Sequence, residues 1–297
     1  MTRAHEREAS GRTRRWWLDD PAVARLEFGL AGETEEFEQA FRLLHDQYVR
    51  RGFMDPHPSG WRLSLHNALP STKVFLARAA GRVVGTVTLI QDSRIGLPME
   101  DVYREELEPL KDRGRRLAEA SALALDPGYR ASGTAILFRL FRMLLLYAAK
   151  IARLDDLCLV ATPHHATVYR RWVPFREIGS PRPYRRVNDA TVIGLRLELG
   201  ILRALIRVVR AGLSPGELFD VLVGPEPCRR VFARLRRDLP RSSLTPLQIA
   251  HFFARHGPPV LDSPVQVSPT PGGGPSRKPR RPASRPMGAP DHAGVAT

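Results

Sequence analysis

The stretch RRLAEASALALDPGYRASGTAILFRL, residues 115–140, runs without a break through what reads as a strand, a turn and the start of a helix. Small apolar residues from about Arg116 to Leu125 predict a β-strand, closed by Asp126-Pro127-Gly128. Side chains alternate across a strand, so Leu117, Glu119, Ser121 and Leu123 are expected on one face. Ala118, Ala120, Ala122 and Ala124 are expected on the other, a surface suited to a closely packed helix. The first face sets a carboxylate beside a hydroxyl in the middle of a sheet. A buried, unpaired carboxylate is costly. Glu119 is therefore expected either to pair with an arginine or to line a cavity with a raised pKa. In the second case it can act as a general base towards an amine.

The turn that follows has the form Arg130-x-x-Gly133-x-Ala135 and opens a long apolar helix expected to run to Arg153. A helix start presents unpaired N–H groups and the positive end of its dipole. Gly lets a backbone approach, and Arg adds charge, so the pattern suits a phosphate. A tight turn that merely uses glycine is the alternative.

Outward from this stretch, elements alternate. Phe37, Phe41, Leu44 and Tyr48 recur at steps of three and four, which predicts an amphipathic helix that starts near Thr34 and stops at Gly52. KVFLARAAGRVVGTVTLIQDS reads as a hairpin turning near Gly81. A loop and a short charged helix lead into the Glu119 strand. After the long helix come a strand at DDLCLVAT, a short helix at HHATVYRRWV and a strand at ATVIGLRLEL. This order predicts an α/β fold, a mixed sheet flanked by helices, over residues 21–199. Four short helices are expected as a C-terminal extension over 200–261. Residues 262–297, rich in Pro, Gly, Ser and Arg, read as a disordered tail, and residues 1–20 as a flexible basic N-terminus.

The apolar share of 43% allows a sizeable core. The net charge of +15 suggests an anionic partner: nucleic acid, a membrane surface or an acidic protein. Lys occurs only at 73, 111, 150 and 278, so Arg carries the charge, and GC-rich coding alone also produces that usage. No helix-turn-helix, zinc or aromatic-basic RNA pattern accompanies the charge, which argues against nucleic acid. Cys158 and Cys228 lie in no metal-ligand spacing, and no metal site is expected. The opening residues hold no apolar signal segment, and TAILFRLFRMLLLYAAK is broken by Arg139 and Arg142. A cytoplasmic protein with two reduced thiols is the expectation.

In ATPHHATVYRRWVPF, His164 and His165 stand at the end of a strand and Tyr169 one turn into a helix. Tyr169 is either core filler or a phenol placed to protonate a leaving thiolate.

These elements in this order resemble the GCN5-related N-acetyltransferase fold. The resemblance is closer to one branch, the long-chain N-acyl amino acid synthases of FeeM type, relatives of the acyl-homoserine-lactone synthases. It rests on VVGTVTLIQDSRIGLPMEDVYREELEPLKDRGRRLAEASALALDP, ATPHHATVYRRWVPF and IGSPRPYRRVNDA, and spans roughly residues 35 to 199. The resemblance implies transfer of a fatty acyl group from a phosphopantetheine thioester, on acyl carrier protein or on CoA, to the α-amine of an amino acid. Glu119, with Ser121, takes the place of the acid that assists the amine, and Tyr169 that of the thiol's proton donor. Leu123, Leu125, Arg130, Gly133 and Ala135 would line the donor arm, and Arg42, Tyr48 and His164 the amino-acid site. No permanently bound cofactor is implied.

Two positions depart from the family pattern: Pro174 replaces a usual Gly before Phe175, and Leu44 a frequent Arg. Acidic carrier proteins would be steered by a basic rim. Arg130, Arg139, Arg142, Lys150 and Arg153 are expected to supply it, with a merely solvated helix face the alternative for the last four. Arg203, Arg207 and Arg210 would extend that rim, contact a membrane peripherally, cover an acyl tunnel or only solubilise their helix. The rival readings are an acetyl-CoA-dependent acetyltransferase, an autoinducer synthase and a non-catalytic carrier-binding protein. Ala122 after Ser121, where autoinducer synthases usually have Arg, speaks against the second.

Overall fold

The computed structural model describes residues 20–211 and 225–257. The basic N-terminus before residue 20, the helix expected at SPGELFDVLV and the tail from 262 lie outside them, as does the side chain of Arg210.

Seven strands form one sheet in the order β1-β2-β3-β4-β5-β7-β6. They are β1 (Glu27–Leu30), β2 (Lys73–Ala79), β3 (Arg82–Gln91), β4 (Leu117–Leu125), β5 (Asp156–Ala161), β6 (Arg176–Tyr184) and β7 (Ala190–Glu198). Every pairing is antiparallel except β4 with β5. The β2–β3 hairpin turns at Ala80 and Gly81, both at positive φ (46° and 81°), a twist that suits the flanking strands.

Helices cover both faces. α1 (Thr34–Arg50) begins at Glu33, which forms a capping box with Glu36, and ends before Gly52 at φ 69°. α2 (Glu100–Asp112) follows the Gly96–Met99 loop. α3 (Gly133–Leu146) continues as a π-helical turn, Tyr147–Ile151. α4 (Pro163–Trp172), α5 (Leu199–Arg210), α6 (Pro225–Asp238) and α7 (Pro246–His256) complete the set.

Alternation in β2 shows how the sheet divides the core. Phe75 and Ala77 face the layer of α3, which also takes in Leu202, Ile206, Cys228 and Leu235 of α5 and α6. Val74 and Leu76 face the opposite layer, with Phe37 and Phe41 of α1 and Phe252 of α7. A third packing group joins Leu107 and Tyr103 of α2 to Leu117 and Cys158. The helices after residue 199 thus extend the layers on both faces of the sheet.

Two strands are absent from the sequence reading. β1 is four residues long and contains Gly29. β6 contains Gly179 at φ 66°, Pro181 and Pro183, and its register with β7 shifts between Ile178 and Arg182. Proline lacks a ladder donor and is confined to edge strands such as this one.

Candidate active site

β4 and β5 pair over only three residues, Leu117 with Asp156, Ala118 with Leu157 and Glu119 with Cys158. Beyond Glu119 the two strands part, while β5 stays paired with β7 as far as Ala161. The β5-side edge of β4 is therefore open from Ala120 onward.

Within this open segment β4 carries a bulge. Thr88 pairs with Ser121 and Thr86 with Ala124, so Ala122 and Leu123 together oppose Val87. Ala122 absorbs the extra residue at φ 55°. The bulge overturns the strict alternation expected from sequence. Leu123 and Leu125 leave the Glu119 face and pack against the α3 layer. The backbone changes phase as well. Before the bulge the Leu117 carbonyl accepts from Asp92, next to β3, whereas after it the Asp126 amide donates to Val84 of β3. By alternation, the amides of Leu123 and Leu125 turn to the gap between β4 and β5.

Glu119 lies at the closed end of this gap with no solvent exposure. Met99 donates its amide to Oε2 at 2.7 Å, and Oε1 has no hydrogen-bond partner. Burial is the dominant influence on the carboxyl and pushes it up to about 8. The Met99 amide, the charge of Arg186 and the Ser121 hydroxyl pull the other way, and Asp101 adds to the rise. Asp156, at the other end of the same strand pair, makes the contrast. It is equally buried but takes Arg115 in a two-pronged pair and Arg196 at 2.9 Å. Among the described residues Glu119 has no such ion pair, so the choice posed by the sequence resolves towards the raised pKa.

The loop that supplies the Met99 amide is held at each step. His66 Nε2 bonds the Gly96 carbonyl at 3.1 Å, Glu100 accepts the Leu97 amide at 2.6 Å, and the Tyr184 hydroxyl donates to the Pro98 carbonyl at 2.9 Å. Tyr184 is kept protonated chiefly by burial, with the Glu119 charge adding to the effect. Arg186 pairs through Nε with Asp101 at the start of α2.

A chain of side chains runs from here to α4. The Arg186 carbonyl accepts from Arg62 Nη2 at 3.1 Å, and the Arg62 guanidinium stacks 4.2 Å from the centre of the Tyr48 ring. Tyr48 and Arg51 are in turn electrostatic neighbours of the Tyr169 phenol, which burial pushes well above its ordinary value. The Tyr169 ring packs on Phe141 (5.4 Å) and Phe175 (6.4 Å). Pro174 is exposed between the buried Val173 and Phe175, so the departure from glycine there leaves the Phe175 contacts in place.

At the start of α3, Gly133 and Ala135 are buried and Arg130 is exposed. Among the described residues no side chain caps the helix, and the Ser132 side chain bonds the Asp20 carboxylate instead. The Thr134 and Ala135 amides take no acceptor among the described residues. A β-carbon on Gly133 would stand 2.8 Å from Leu125 Cδ2, so glycine is what lets this turn press against the end of β4.

Arg42 and His164 stand apart from this cluster. Arg42 is exposed and pairs with Glu38 at 3.1 Å on the outer face of α1, while Leu44 fills the buried side. His164 is exposed against His165, and it is His165 that turns inward to Thr162 at 2.9 Å. The basic rim expected along α3 is also not continuous. Arg142 is mostly buried, with Nε and Nη2 unpartnered, and burial lowers it to about 10. Arg139 lies 5.8 Å from the Phe28 ring centre, and Lys150 and Arg153 stand about 25 Å from the Gly133 end of the helix.

Arg62, Tyr184, Arg186, Asp101 and the Met99 amide were not among the residues singled out from sequence. Tyr184 and Arg186 fall within IGSPRPYRRVNDA, but nothing in their type or spacing distinguishes them among so many arginines. Met99 contributes a main-chain group, which residue identity does not reveal.

No curated protein matches the chain. The solved structure of FeeM, an N-acyl amino acid synthase from uncultured soil microbes, is 27% identical with a TM-score of 0.53, covering 61% of this chain and 95% of that one. The acyl-homoserine-lactone synthase LasI is 16% identical with a TM-score of 0.48, covering 67% of this chain and 93% of that one. A spermidine N-acetyltransferase, SpeG from Vibrio cholerae, is 17% identical with a TM-score of 0.41, covering 60% and 95%. The family described as N-acyl amino acid synthase FeeM matches residues 39–198, which contain the strand gap, Glu119 and the Arg-x-x-Gly-x-Ala turn. That match takes in more than half of the 297 residues, and the chain belongs to the FeeM family of N-acyl amino acid synthases, acyltransferases of the GCN5-related N-acetyltransferase-like fold.

Proposed function

We propose that the protein transfers a long acyl chain from the phosphopantetheine thioester of an acyl carrier protein to the α-amine of an amino acid, with Glu119 as general base. The observation that carries this reading is the state of Glu119. It is wholly buried, held on one oxygen by the Met99 amide, unpartnered on the other, and placed where β4 and β5 part.

The chemistry follows from raised basicity. The α-ammonium of a free amino acid, flanked by a carboxylate rather than an amide, is a weaker acid than a peptide N-terminus, and burial that lifts the Glu119 carboxyl to about 8 narrows the gap, so the proton passes to it at a smaller cost than to an ordinary carboxylate. The free amine attacks the thioester carbon, the new C–N bond forms, and the C–S bond breaks from the tetrahedral intermediate. The Leu123 and Leu125 amides, turned into the gap, suit the developing oxyanion, where one well-placed donor contributes about 3 kcal/mol. The departing thiolate takes up the proton that the amine gave to Glu119, and the Tyr169 hydroxyl, kept protonated by burial, steadies the sulfur as a hydrogen-bond donor. The turn at Arg130, Gly133 and Ala135 receives the phosphate of the donor arm on the open amides of α3.

A protein carrier is favoured over CoA by the net charge of +15, since carriers are acidic and a cationic partner captures them faster. The deciding experiment supplies acyl carrier protein and CoA thioesters of the same chain to the purified protein with a panel of amino acids, and reads products by mass spectrometry. Acylated amino acids from the carrier thioester, lost in Glu119→Gln, are the expected result. Product from CoA thioester alone overturns the carrier, and product undiminished in Glu119→Gln overturns the base.

A further inference from the structure

Two opposite charges at this site are each only half engaged. Glu119 is fully buried, yet Oε1 makes no full hydrogen bond among the described residues, the Ser121 hydroxyl acting on the carboxylate from its own strand. Arg186 is half-buried and spends Nε on Asp101. Neither terminal nitrogen of its guanidinium makes a hydrogen bond among the described residues. The two side chains lie in each other's field, but no ion pair joins them.

The neighbouring polar groups are engaged elsewhere. The Tyr184 hydroxyl is committed to Pro98, and the Arg62 guanidinium is stacked on Tyr48 and bonded to the Arg186 carbonyl. His66 gives Nε2 to Gly96. A bare carboxylate oxygen and a bare guanidinium fork therefore remain, held apart by the Met99 amide on one side and by Asp101 on the other. The complementary ligand carries an ammonium and a carboxylate on neighbouring atoms. An arginine fork suits the carboxylate because two parallel N–H groups match its two oxygens.

We propose that the Arg186 guanidinium receives the α-carboxylate of the acceptor while Glu119 Oε1 faces its ammonium, so that the site selects zwitterionic α-amino acids over amines bearing the same side chain. Asp101 is then a positioning residue, because it fixes the Nε edge and leaves the terminal nitrogens for the carboxylate. The inference rests on the acyl-transfer reading above, in which Glu119 meets the amine.

The test compares each accepted amino acid with its decarboxylated amine under the same acyl donor. The wild type is expected to prefer the acid by about 100-fold in kcat/KM, the scale of two charged hydrogen bonds. Arg186→Met reduces the preference to about threefold, chiefly through KM for the acid, and Arg186→Lys keeps an intermediate preference that shows the site still folds. Asp101→Asn lowers the preference less than Arg186→Met does. A wild type that acylates acid and amine equally, or an Arg186→Met that keeps the full preference, overturns the inference.

Thermal-shift titration without any acyl donor separates this from failure of the transfer reading. If no thioester is consumed, stabilisation by an amino acid but not by its amine, lost in Arg186→Met, leaves the carboxylate site standing. No such shift, with no turnover, overturns both.

Discussion

Met99 donates its amide to Glu119 Oε2 at 2.7 Å, tying the loop before α2 to the middle of β4. One main-chain donor thus fixes which oxygen of the buried acid is spent on structure and which is left for chemistry. The rest of the site follows from that division: among the described residues Oε1 has no hydrogen-bond partner, and the Ser121 hydroxyl is another near group that favours the ionised carboxylate.

Activity should rise with pH through the Glu119 titration. The group acts as a base only when ionised, so kcat/KM for the amino acid is expected to climb with an inflection near 8, below the titration of the acceptor's own ammonium. Glu119→Gln removes the base and should lower kcat by about 10² to 10⁴. Steady-state rates between pH 6 and 10 check both. An inflection below pH 6 in the wild type would mean that the carboxylate is paired in solution.

Stability should move in the opposite sense. The folded-state pKa of Glu119 lies above its unfolded value of about 4.5, so the folded protein holds the proton more tightly. Its contribution is fully present below pH 4.5 and is lost as pH rises through about 8. Glu119→Gln escapes that loss. Chemical denaturation should show variant and wild type close at pH 5 and the variant more stable at pH 9, by up to about 5 kcal/mol.

Met99→Pro deletes the amide donor at a position whose φ of −70° proline can adopt. Without that bond the ionised form of Glu119 loses its nearest stabilising group. The inflection in kcat/KM should move up by about one unit, while Met99→Leu leaves it in place. Equal profiles in the two variants would show that the amide does not tune the acid.

The bulge in β4 gives a further handle. Ala122 sits at φ 55°, a left-handed conformation that costs about 1 kcal/mol for alanine and more for a β-branched residue. Ala122→Gly should therefore raise the melting temperature slightly and keep activity. Ala122→Val should destabilise the fold by about 2 kcal/mol. It should also lower kcat, by returning β4 to regular pleat and turning the Leu123 and Leu125 amides back to β3.

How much of this was legible in the sequence depended on whether a feature leaves a trace in side-chain pattern. The hairpin around Gly81, the strand bearing Glu119 and the long helix after Gly133 are all periodic, and each was readable. β6 was not, because Gly179, Pro181 and Pro183 spell loop unless the strand lies at an edge. The alternation along β4 was readable only as far as Ser121. Alanine carries no signature of left-handed backbone, so the phase change at Ala122 and the inward turn of Leu123 were hidden. Glu119 was legible as one carboxylate in an apolar strand. Arg186 and Arg62 were not, since their roles come from loops that only the tertiary fold brings to β4.

Gly133 offers the cleanest test of the donor end. Its missing side chain is required by contact: a β-carbon would stand 2.8 Å from Leu125 Cδ2, well inside van der Waals range. Gly133→Ala should push the start of α3 away from β4. That displacement moves the open amides of Thr134 and Ala135 and the side chain of Arg130 together. Overpacking of this kind destabilises by about 1–3 kcal/mol. KM for the acyl donor should rise by about tenfold, with KM for the amino acid little changed, since Glu119 and Arg186 lie at the other end of the gap. Leu125→Ala removes the clashing methyl groups. The double variant Gly133→Ala, Leu125→Ala should therefore be more stable than Gly133→Ala alone and recover donor KM, although Leu125→Ala by itself is destabilising. That sign of coupling, read from a double-mutant cycle in both denaturation and donor KM, follows only if the two residues meet as described. Additive effects would show that the turn does not press on β4, and the phosphate would then have to be sought away from the α3 start.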